Sequence, residues 1–254
     1  MNTLAIQFAW MYALSQLKLK YRYTFLGVLW NLIEPALFLA VLSIVFSIIN
    51  KMDIADYAVF LFAALVPWRY FEKVVNACME SIVSGDWLLK KLPVSAFSLP
   101  VSRWMQATVE FSFSLVVVFA FYAFFKPTWT SHLMVLPFAI ISWSIVSLGA
   151  GLIAAVLFTF FRDVKPLVQL VLMLLFFSSP ILFRPDIFAE HTLQATLLQW
   201  HPLTYFAALF QKPIYFSTWP SVTDWVVTTI VGLGSVGGGY VLVQSTKKHF
   251  YFYL

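Results

Sequence analysis

A stripe of polar side chains at helical spacing is the part of this sequence most able to act on another molecule. Its members are Arg69, Glu72, Lys73, Asn76 and Glu80, in a segment that begins as an apolar block. At about 100° per residue they gather within an arc of about 100° on a helical wheel. A charge that faces lipid at the bilayer centre costs at least about 2.5 kcal/mol, so the stripe must face protein, a wet cavity or the cytoplasm.

Two interpretations of the stripe are open. In the first, it lines a hydrated transport path in which cations meet an anionic or hydroxyl-rich substrate. In the second, the helix protrudes into the cytoplasm or makes a polar subunit contact. Aromatic rings beside the stripe offer flat apolar faces that suit sugar rings, although lipid contact or helix packing is the favoured role for any single ring. The predicted path residues are Arg69, Tyr70, Phe71, Glu72, Lys73 and Asn76.

Motifs for enzymatic chemistry are missing from the sequence. No Gly-x-x-x-x-Gly-Lys-Ser/Thr phosphate loop occurs in it. Gly232, Gly234 and Gly237 fit a dinucleotide fingerprint in spacing only, because they lie inside an apolar block with no strand before them. The four histidines are scattered and show no metal-ligand spacing. We therefore expect a non-enzymatic chain without a metal or cofactor of its own, which draws its energy from elsewhere.

The elements that carry the stripe are predicted to be membrane helices. The 254 residues are 61% hydrophobic and 11% charged, and their mean hydropathy is +0.86. Crossing the hydrocarbon core takes about 20 helical residues. Six blocks of that order predict an all-α membrane protein with one domain over residues 1–254: Gly27–Ile49, Tyr57–Val75, Leu99–Phe125, Leu133–Phe160, Leu167–Phe183 and Trp225–Val243. Small residues, Gly234 with Gly238 and a group over Gly149–Ala155, are expected to let helices approach closely.

Basic residues between the blocks predict the orientation. With a cytoplasmic N-terminus, ten lysines and arginines lie inside and four outside, so both ends are expected in the cytoplasm. This bias and anionic lipid account for the net charge of +5 without a nucleic-acid partner. The inside set is Lys18, Lys20, Arg22, Lys90, Lys91, Arg103, Arg162, Lys165, Lys247 and Lys248, and the outside set is Lys51, Lys126, Arg184 and Lys212.

Three segments between or before the blocks have predicted roles. Residues 1–26 suit an amphipathic helix in the cytoplasmic interface, or a simple topology anchor. Asp86 as N-cap and Pro93 as stop predict a short cytoplasmic helix, whose Trp87 and leucines suit a partner's docking surface or the membrane surface. Residues 184–224 are expected outside, where Pro202–Phe216 is too short to span and suits a re-entrant half-helix, at an exit or in an ordinary cap. The sixth span, 225–243, and a cytoplasmic tail, 244–254, complete the chain.

Motifs spread over about residues 18–215 carry a family resemblance. They resemble, in order and spacing, the polysaccharide-export permeases, which are type-2 ABC membrane domains for O antigen, capsule and teichoic acid. One departure is His201, where the family usually has Asn, and another is the lack of an Arg that closes that segment in many relatives. The matching motifs are Lys20-Tyr21-Arg22-Tyr23, Leu26–Trp30, Glu34-Pro35, Pro67–Phe71, Ser81-Ile82 through Leu89–Pro93, Leu99-Pro100, Phe161–Val164, Ser178–Ile181 and His201–Thr204.

The resemblance implies a permease that dimerises with a second copy and binds two separate ATPase subunits, which hold ATP and Mg. It implies export of a lipid-linked polysaccharide, with O antigen the expected cargo, outward across a bacterial inner membrane. A drug or lipid exporter of the same class, or a glycosyltransferase or flippase without an ATPase, are the alternatives. The implied sites are a coupling helix with Asp86, Trp87, Leu88, Leu89, Lys90 and Lys91, a cytoplasmic gate with Arg22, Trp30 and Glu34, and an exit segment with His201, Pro202 and Tyr205.

Overall fold

The computed structural model describes residues 3–22, 29–50, 53–92, 94–125, 130–184, 192–246 and 250. All regular structure in these ranges is helical, which confirms the all-α class. The α-helices are α1 (Thr3–Tyr21), α2 (Trp30–Asn50), α3 (Ile54–Ser84), α4 (Asp86–Lys91), α5 (Ser98–Phe125), α6 (Leu136–Phe160), α7 (Val164–Ser178), α8 (Thr192–Trp200), α9 (Pro202–Gln211) and α10 (Val222–Thr246). A 3₁₀ turn (Ser131–Val135) precedes α6, and a π turn (Lys212–Phe216) extends α9.

Four helices in the described ranges are long and apolar enough to cross a membrane. They are Ile54–Ser84, Ser98–Phe124, Ser131–Phe160 and Val222–Thr246, so the second, third, fourth and sixth predicted spans are confirmed as candidates. The first and fifth blocks form shorter apolar helices, Ala36–Ile48 within α2 and Val164–Ser178. A straight helix of 15 residues reaches about 22 Å, short of a hydrocarbon core of about 30 Å. The count of six spans therefore stays a prediction.

Helix α3 lies at the centre of the bundle and packs against α2, α5, α6 and α9. The Asp53 carboxylate caps its start by accepting from the Ala55 N–H at 3.1 Å. Every residue over 57–68 is buried, as expected for a helix that is hydrophobic on all sides. Beyond Pro67 the burial becomes one-sided, and the stripe that begins at Arg69 opens on the other side. One helix thus supplies both the core and a polar surface.

Helices α6 and α10 approach closely through glycines. A Cβ on Gly149 would lie 2.5 Å from the Val236 backbone N, and one on Gly239 would lie 2.7 Å from Leu152 Cβ. The prediction for Gly149–Ala155 is therefore confirmed at Gly149. The prediction for Gly234 with Gly238 is wrong within this chain, because a Cβ at either would meet no described atom within 4 Å. Both glycines lie on the face of α10 that points away from α6.

Helix α1 packs along the first half of α5. Small residues, Ala9 and Ala13, form its buried face, whereas Trp10 and Met11 are exposed. A helix is thus present over Thr3–Tyr21 of the predicted segment, and residues 1–2 and 23–26 lie outside the described ranges. Its amphipathic character and its interfacial position stay predictions. Its last turn brings Lys20 to the level of Glu110 on α5.

Candidate functional site

The stripe on α3 forms an open wall rather than part of the core. The side chains of Arg69 and Lys73 are 51% and 43% exposed. Tyr70 is buried, and its ring borders the cavity. Phe71 points the other way and packs against Trp68 and Trp143, with ring centroids 5.5 and 5.1 Å away. Of the predicted path residues, Phe71 therefore lies behind the surface that the others form.

A cavity of about 380 Å³ opens in front of this wall. The Arg69 guanidinium donates to Glu72 Oε2 at 3.1 Å and lies over the Phe38 ring of α2, 4.2 Å from its centroid. Glu34, predicted for the gate, joins the lining from α2. The lining residues are Lys20, Glu34, Phe38, Leu65, Val66, Arg69, Tyr70, Glu72, Lys73, Asn76, Ala107, Phe111 and Ser114.

Glu110 of α5 joins three helices beside the cavity, through two lysines that both line it. Its side chain is 1% exposed, and both carboxylate oxygens accept from Lys20 Nζ of α1 at 2.9 Å. Lys73 of α3 forms a second ion pair with the same carboxylate. Glu110 thus pairs with basic residues of two neighbouring helices. Since Lys20 lies far away in sequence, its arrival here was not predicted.

A second cavity of about 360 Å³ lies next to the first, and Lys20, Lys73 and Ala107 line both. Arg103 donates to Gln16 of α1 at 3.3 Å and to Gln106 at 3.2 Å. Sequence reasoning missed Arg103 and Gln106, although with Glu110 they form a polar stripe on one face of α5 that a helical wheel would reveal. The lining is completed by Ala77, Glu80, Ser84 and Glu110.

A hydrogen-bond network behind the wall fixes α3 to its neighbours. The Tyr70 hydroxyl lies 2.8 Å from both Thr108 Oγ1 on α5 and Ser144 Oγ on α6. Trp104 Nε1 donates to the Ser144 carbonyl at 3.1 Å. The Tyr70 ring stacks on Phe111 at a centroid distance of 4.4 Å. These contacts hold the cavity wall in one arrangement.

The short helix predicted after α3 is present as α4, with two corrections. Gly85, not Asp86, occupies the N-cap, where a Cβ would lie 2.7 Å from Leu99 Cδ1. Leu88 and Leu89 are buried, so Trp87, 50% exposed, is the large apolar side chain that α4 presents outward. Asp86 accepts from Lys90 Nζ at 2.7 Å, and this hydrogen bond lowers the pKa of the Asp86 carboxyl. Lys91 is exposed, and Pro93 lies outside the described residues.

The other predicted gate residues do not line the cavities. Arg22 follows the end of α1 and Trp30 begins α2, and both are exposed. The exit residues lie together at the junction of α8 and α9. His201 Nε2 lies 2.9 Å from Ser178 Oγ at the end of α7, Pro202 begins α9, and the Tyr205 hydroxyl donates to the Gln199 carbonyl at 2.7 Å. Burial lowers the pKa of the His201 imidazole from its ordinary value of 6.5.

The side chains that line the cavities offer hydrogen-bond donors, acceptors and aromatic faces. Among the described residues, no three His, Cys, Asp or Glu side chains stand close enough to hold a metal ion. Cations, carboxylates, an amide and aromatic rings line the first cavity. Such a surface can hold and pass a polar molecule.

Comparisons with known proteins support a transport role. The family model for the ABC-2 type transporter matches residues 7–215. An O-antigen export system permease protein, RfbA, of Klebsiella pneumoniae is 28% identical, with 86% of each chain covered. RfbA of Myxococcus xanthus is 24% identical, with 92% of this chain and 90% of the relative covered. The polysialic acid transport protein KpsM of Escherichia coli is 26% identical over 82% of each chain. The chain belongs to the ABC-2 type transporter family.

Proposed function

We propose that this chain is the membrane permease of an ABC exporter that moves a lipid-linked polysaccharide, with O antigen the first expected cargo, outward across a bacterial cytoplasmic membrane. The names of the relatives support this, since they describe export of O antigen and transport of polysialic acid. The observation that carries the proposal is the pair of adjacent cavities along α3, which charged side chains line in a largely apolar helix bundle.

The cavity suits a hydroxyl-rich cargo. A polar surface inside a membrane protein is costly unless it meets water or a polar ligand. The ion pair of Arg69 with Glu72 places donors and acceptors side by side, as a hydroxyl requires. Phe38 and the edge of Tyr70 add apolar faces for sugar rings.

Energy transfer in this proposal comes through α4. Two ATPase subunits, which hold ATP and Mg, would dock on two copies of this chain and push on α4 when they close. Exposed Trp87 supplies an anchor of the kind that dominates protein interfaces. Six spans, two cytoplasmic ends, a gate at residues 1–26 with Arg22, Trp30 and Glu34, and an exit at His201, Pro202 and Tyr205 complete the proposed permease.

The test is deletion of the gene in the source bacterium. We expect surface polysaccharide to disappear and lipid-linked polymer to accumulate inside, and wild-type permease with a hydrolysis-competent ATPase to restore export. Arg69→Glu should fail to restore it while accumulating normally in the membrane, whereas Ser245→Glu, an exposed change outside both cavities and the proposed gate, should restore it. Unchanged surface polysaccharide after deletion, or export without nucleotide hydrolysis, would refute the proposal.

A further inference from the structure

The two cavities carry as many negative as positive side chains. Four cationic and four carboxylate groups line them: Lys20, Arg69, Lys73 and Arg103, and Glu34, Glu72, Glu80 and Glu110. Lys165 lies outside the lining and contacts Glu80 at 2.6 Å. The positive and negative side chains of the described lining therefore balance, and counting Lys165 beside Glu80 changes the sum by one charge.

Pairing within the lining removes the free positive charge that a polyanion would need. Glu110 holds both Lys20 and Lys73, and Glu72 holds Arg69. Arg103 points two of its hydrogen bonds at amide oxygens, those of Gln16 and Gln106. Sites built for anions leave several donors directed at the ligand without a competing carboxylate. Here three of the four cationic side chains, Lys20, Arg69 and Lys73, are already paired with a carboxylate.

The same pairs suit hydroxyl groups. A hydroxyl donates one hydrogen bond and accepts others, and a paired carboxylate keeps lone pairs free to accept from it. A chain of negative charges would instead meet four carboxylates at short range, and like charges repel. Phe38, Phe111 and the edge of Tyr70 contribute apolar faces that favour sugar rings of any charge.

We propose that the two cavities select an uncharged, polyhydroxylated polymer and disfavour a polyanionic one. This inference rests on the proposed function, because it names the cargo class of the same path. It separates this chain from a transporter of sialic acid polymers, whose cargo bears a carboxylate on every sugar.

A thiol reporter measures the charge of the cavities without any transport. Ser114→Cys and Ser84→Cys place nearly isosteric thiols in the first and second cavity, and Ser245→Cys places one on the exposed end of α10 as the matched control. Cys78, the sole native cysteine, is fully buried, so the wild-type chain is the blank. The probes are an anionic sulfonatoethyl and a cationic trimethylammonioethyl methanethiosulfonate, applied to the purified full chain in lipid nanodiscs.

We expect the anionic-to-cationic rate ratio in both cavities to stay within about threefold of that at Ser245→Cys, since no net field concentrates either reagent. Adding Glu72→Gln removes one carboxylate and should raise the ratio in the first cavity. A ratio about tenfold or more above the control in the unmodified cavities would overturn the inference, because focused positive clefts concentrate anions by that much.

Protection by cargo gives the second measurement. A neutral glucan oligosaccharide should slow modification of Ser114→Cys, and an oligosialic acid of the same length should not. Equal or better protection by the oligosialic acid, or protection by neither, would overturn the proposed selectivity. The gene-deletion experiment reports separately on export, so a failed selectivity test with intact export dependence leaves the permease function standing.

Discussion

The carboxylate of Glu110 ties α1, α3 and α5 together. Glu110→Gln would leave Lys20 and Lys73 facing each other without a counter-charge. We expect a loss of about 1–3 kcal/mol, below that of a fully buried pair because both lysines are partly exposed. Thermal unfolding and urea titration of the variant and the wild type in detergent measure this loss in the free energy of unfolding.

The matched control is Glu72→Gln, which removes a more exposed pair with Arg69. Pairs of that kind contribute about 0–1 kcal/mol. Equal losses in the two variants would contradict the role given to Glu110.

A second prediction at residue level concerns pH. Burial lowers the pKa of His201, so the unfolded chain binds this proton more readily than the folded chain. The contribution of His201 to stability is therefore fully present above its ordinary pKa of 6.5 and is lost as the pH falls through the folded-state pKa. We expect the melting temperature of the wild type, relative to His201→Asn, to fall between about pH 7 and pH 5. A difference independent of pH would contradict this.

Residue types at helical spacing predicted the stripe on α3 but not its partners. Arg69, Glu72 and Asn76 line the cavity as expected, because all lie on one helix whose geometry is fixed. Lys20 and Arg103 come from other helices, and only tertiary packing brings them in. The burial of Leu88 and Leu89 was missed for the same reason, since the surface that covers them includes Phe97 and Leu99.

Among the elements, α4 offers the sharpest test of the proposed ATPase contact. Trp87→Glu should weaken copurification of the ATPase by about 2 kcal/mol or more, roughly 30-fold in Kd, as for an interface hot spot. Its melting temperature should match the wild type, because the side chain is half exposed. Leu88→Asp should instead unfold the permease itself, since Leu88 is buried. Full copurification of Trp87→Glu would exclude this docking surface.

The contact of α6 with α10 gives a prediction about glycine. Gly149→Ala should destabilise the chain by about 1–3 kcal/mol through overpacking against the α10 backbone. Gly234→Ala should be neutral or stabilise by up to about 1 kcal/mol, because alanine has the higher helix propensity and meets open space. Denaturant titrations of both variants decide it, and similar effects at the two positions would contradict the described packing.

Element types were predictable from apolar block length, and the detailed faces were not. The apolar composition of α10 predicts a membrane helix. Its glycines are so frequent, however, that their spacing alone does not show which two pack against α6. Gly232 and Gly239 face α6, seven residues apart, rather than Gly234 with Gly238. Helix α7 ends at Ser178 although its apolar block continues to Phe183, because Ser179 adopts extended backbone before Pro180.

At the scale of the whole molecule, the orientation of the chain is testable. We expect both ends on the cytoplasmic side, so a fluorescent-protein fusion after residue 254 should fluoresce and an alkaline phosphatase fusion there should be inactive. A phosphatase fusion after Trp200 should be active, because that junction is proposed to lie outside. Ends on opposite sides would remove the six-span arrangement.

The fold class, the family and the polar stripe on α3 were all accessible from the sequence because they depend on composition and local order. The placement of two cavities side by side was not, since it depends on α1 lying along α5. Contacts between helices that are distant along the chain are only weakly predicted by the pattern of a single sequence.

The burial of α3 on every side over residues 57–68 limits which parts of the protein can rearrange. Because α3 packs against several helices and the Tyr70 hydroxyl hydrogen-bonds to α5 and α6, we expect α3 to stay fixed. If the proposed path widens, the movement must therefore come from its other walls, α1 and α2. In the proposed path, α2 contacts α3 through the stacking of Arg69 on Phe38, and α1 is linked to α5 through the ion pair of Lys20 with Glu110. The hydroxyls of an incoming sugar could replace these contacts one at a time.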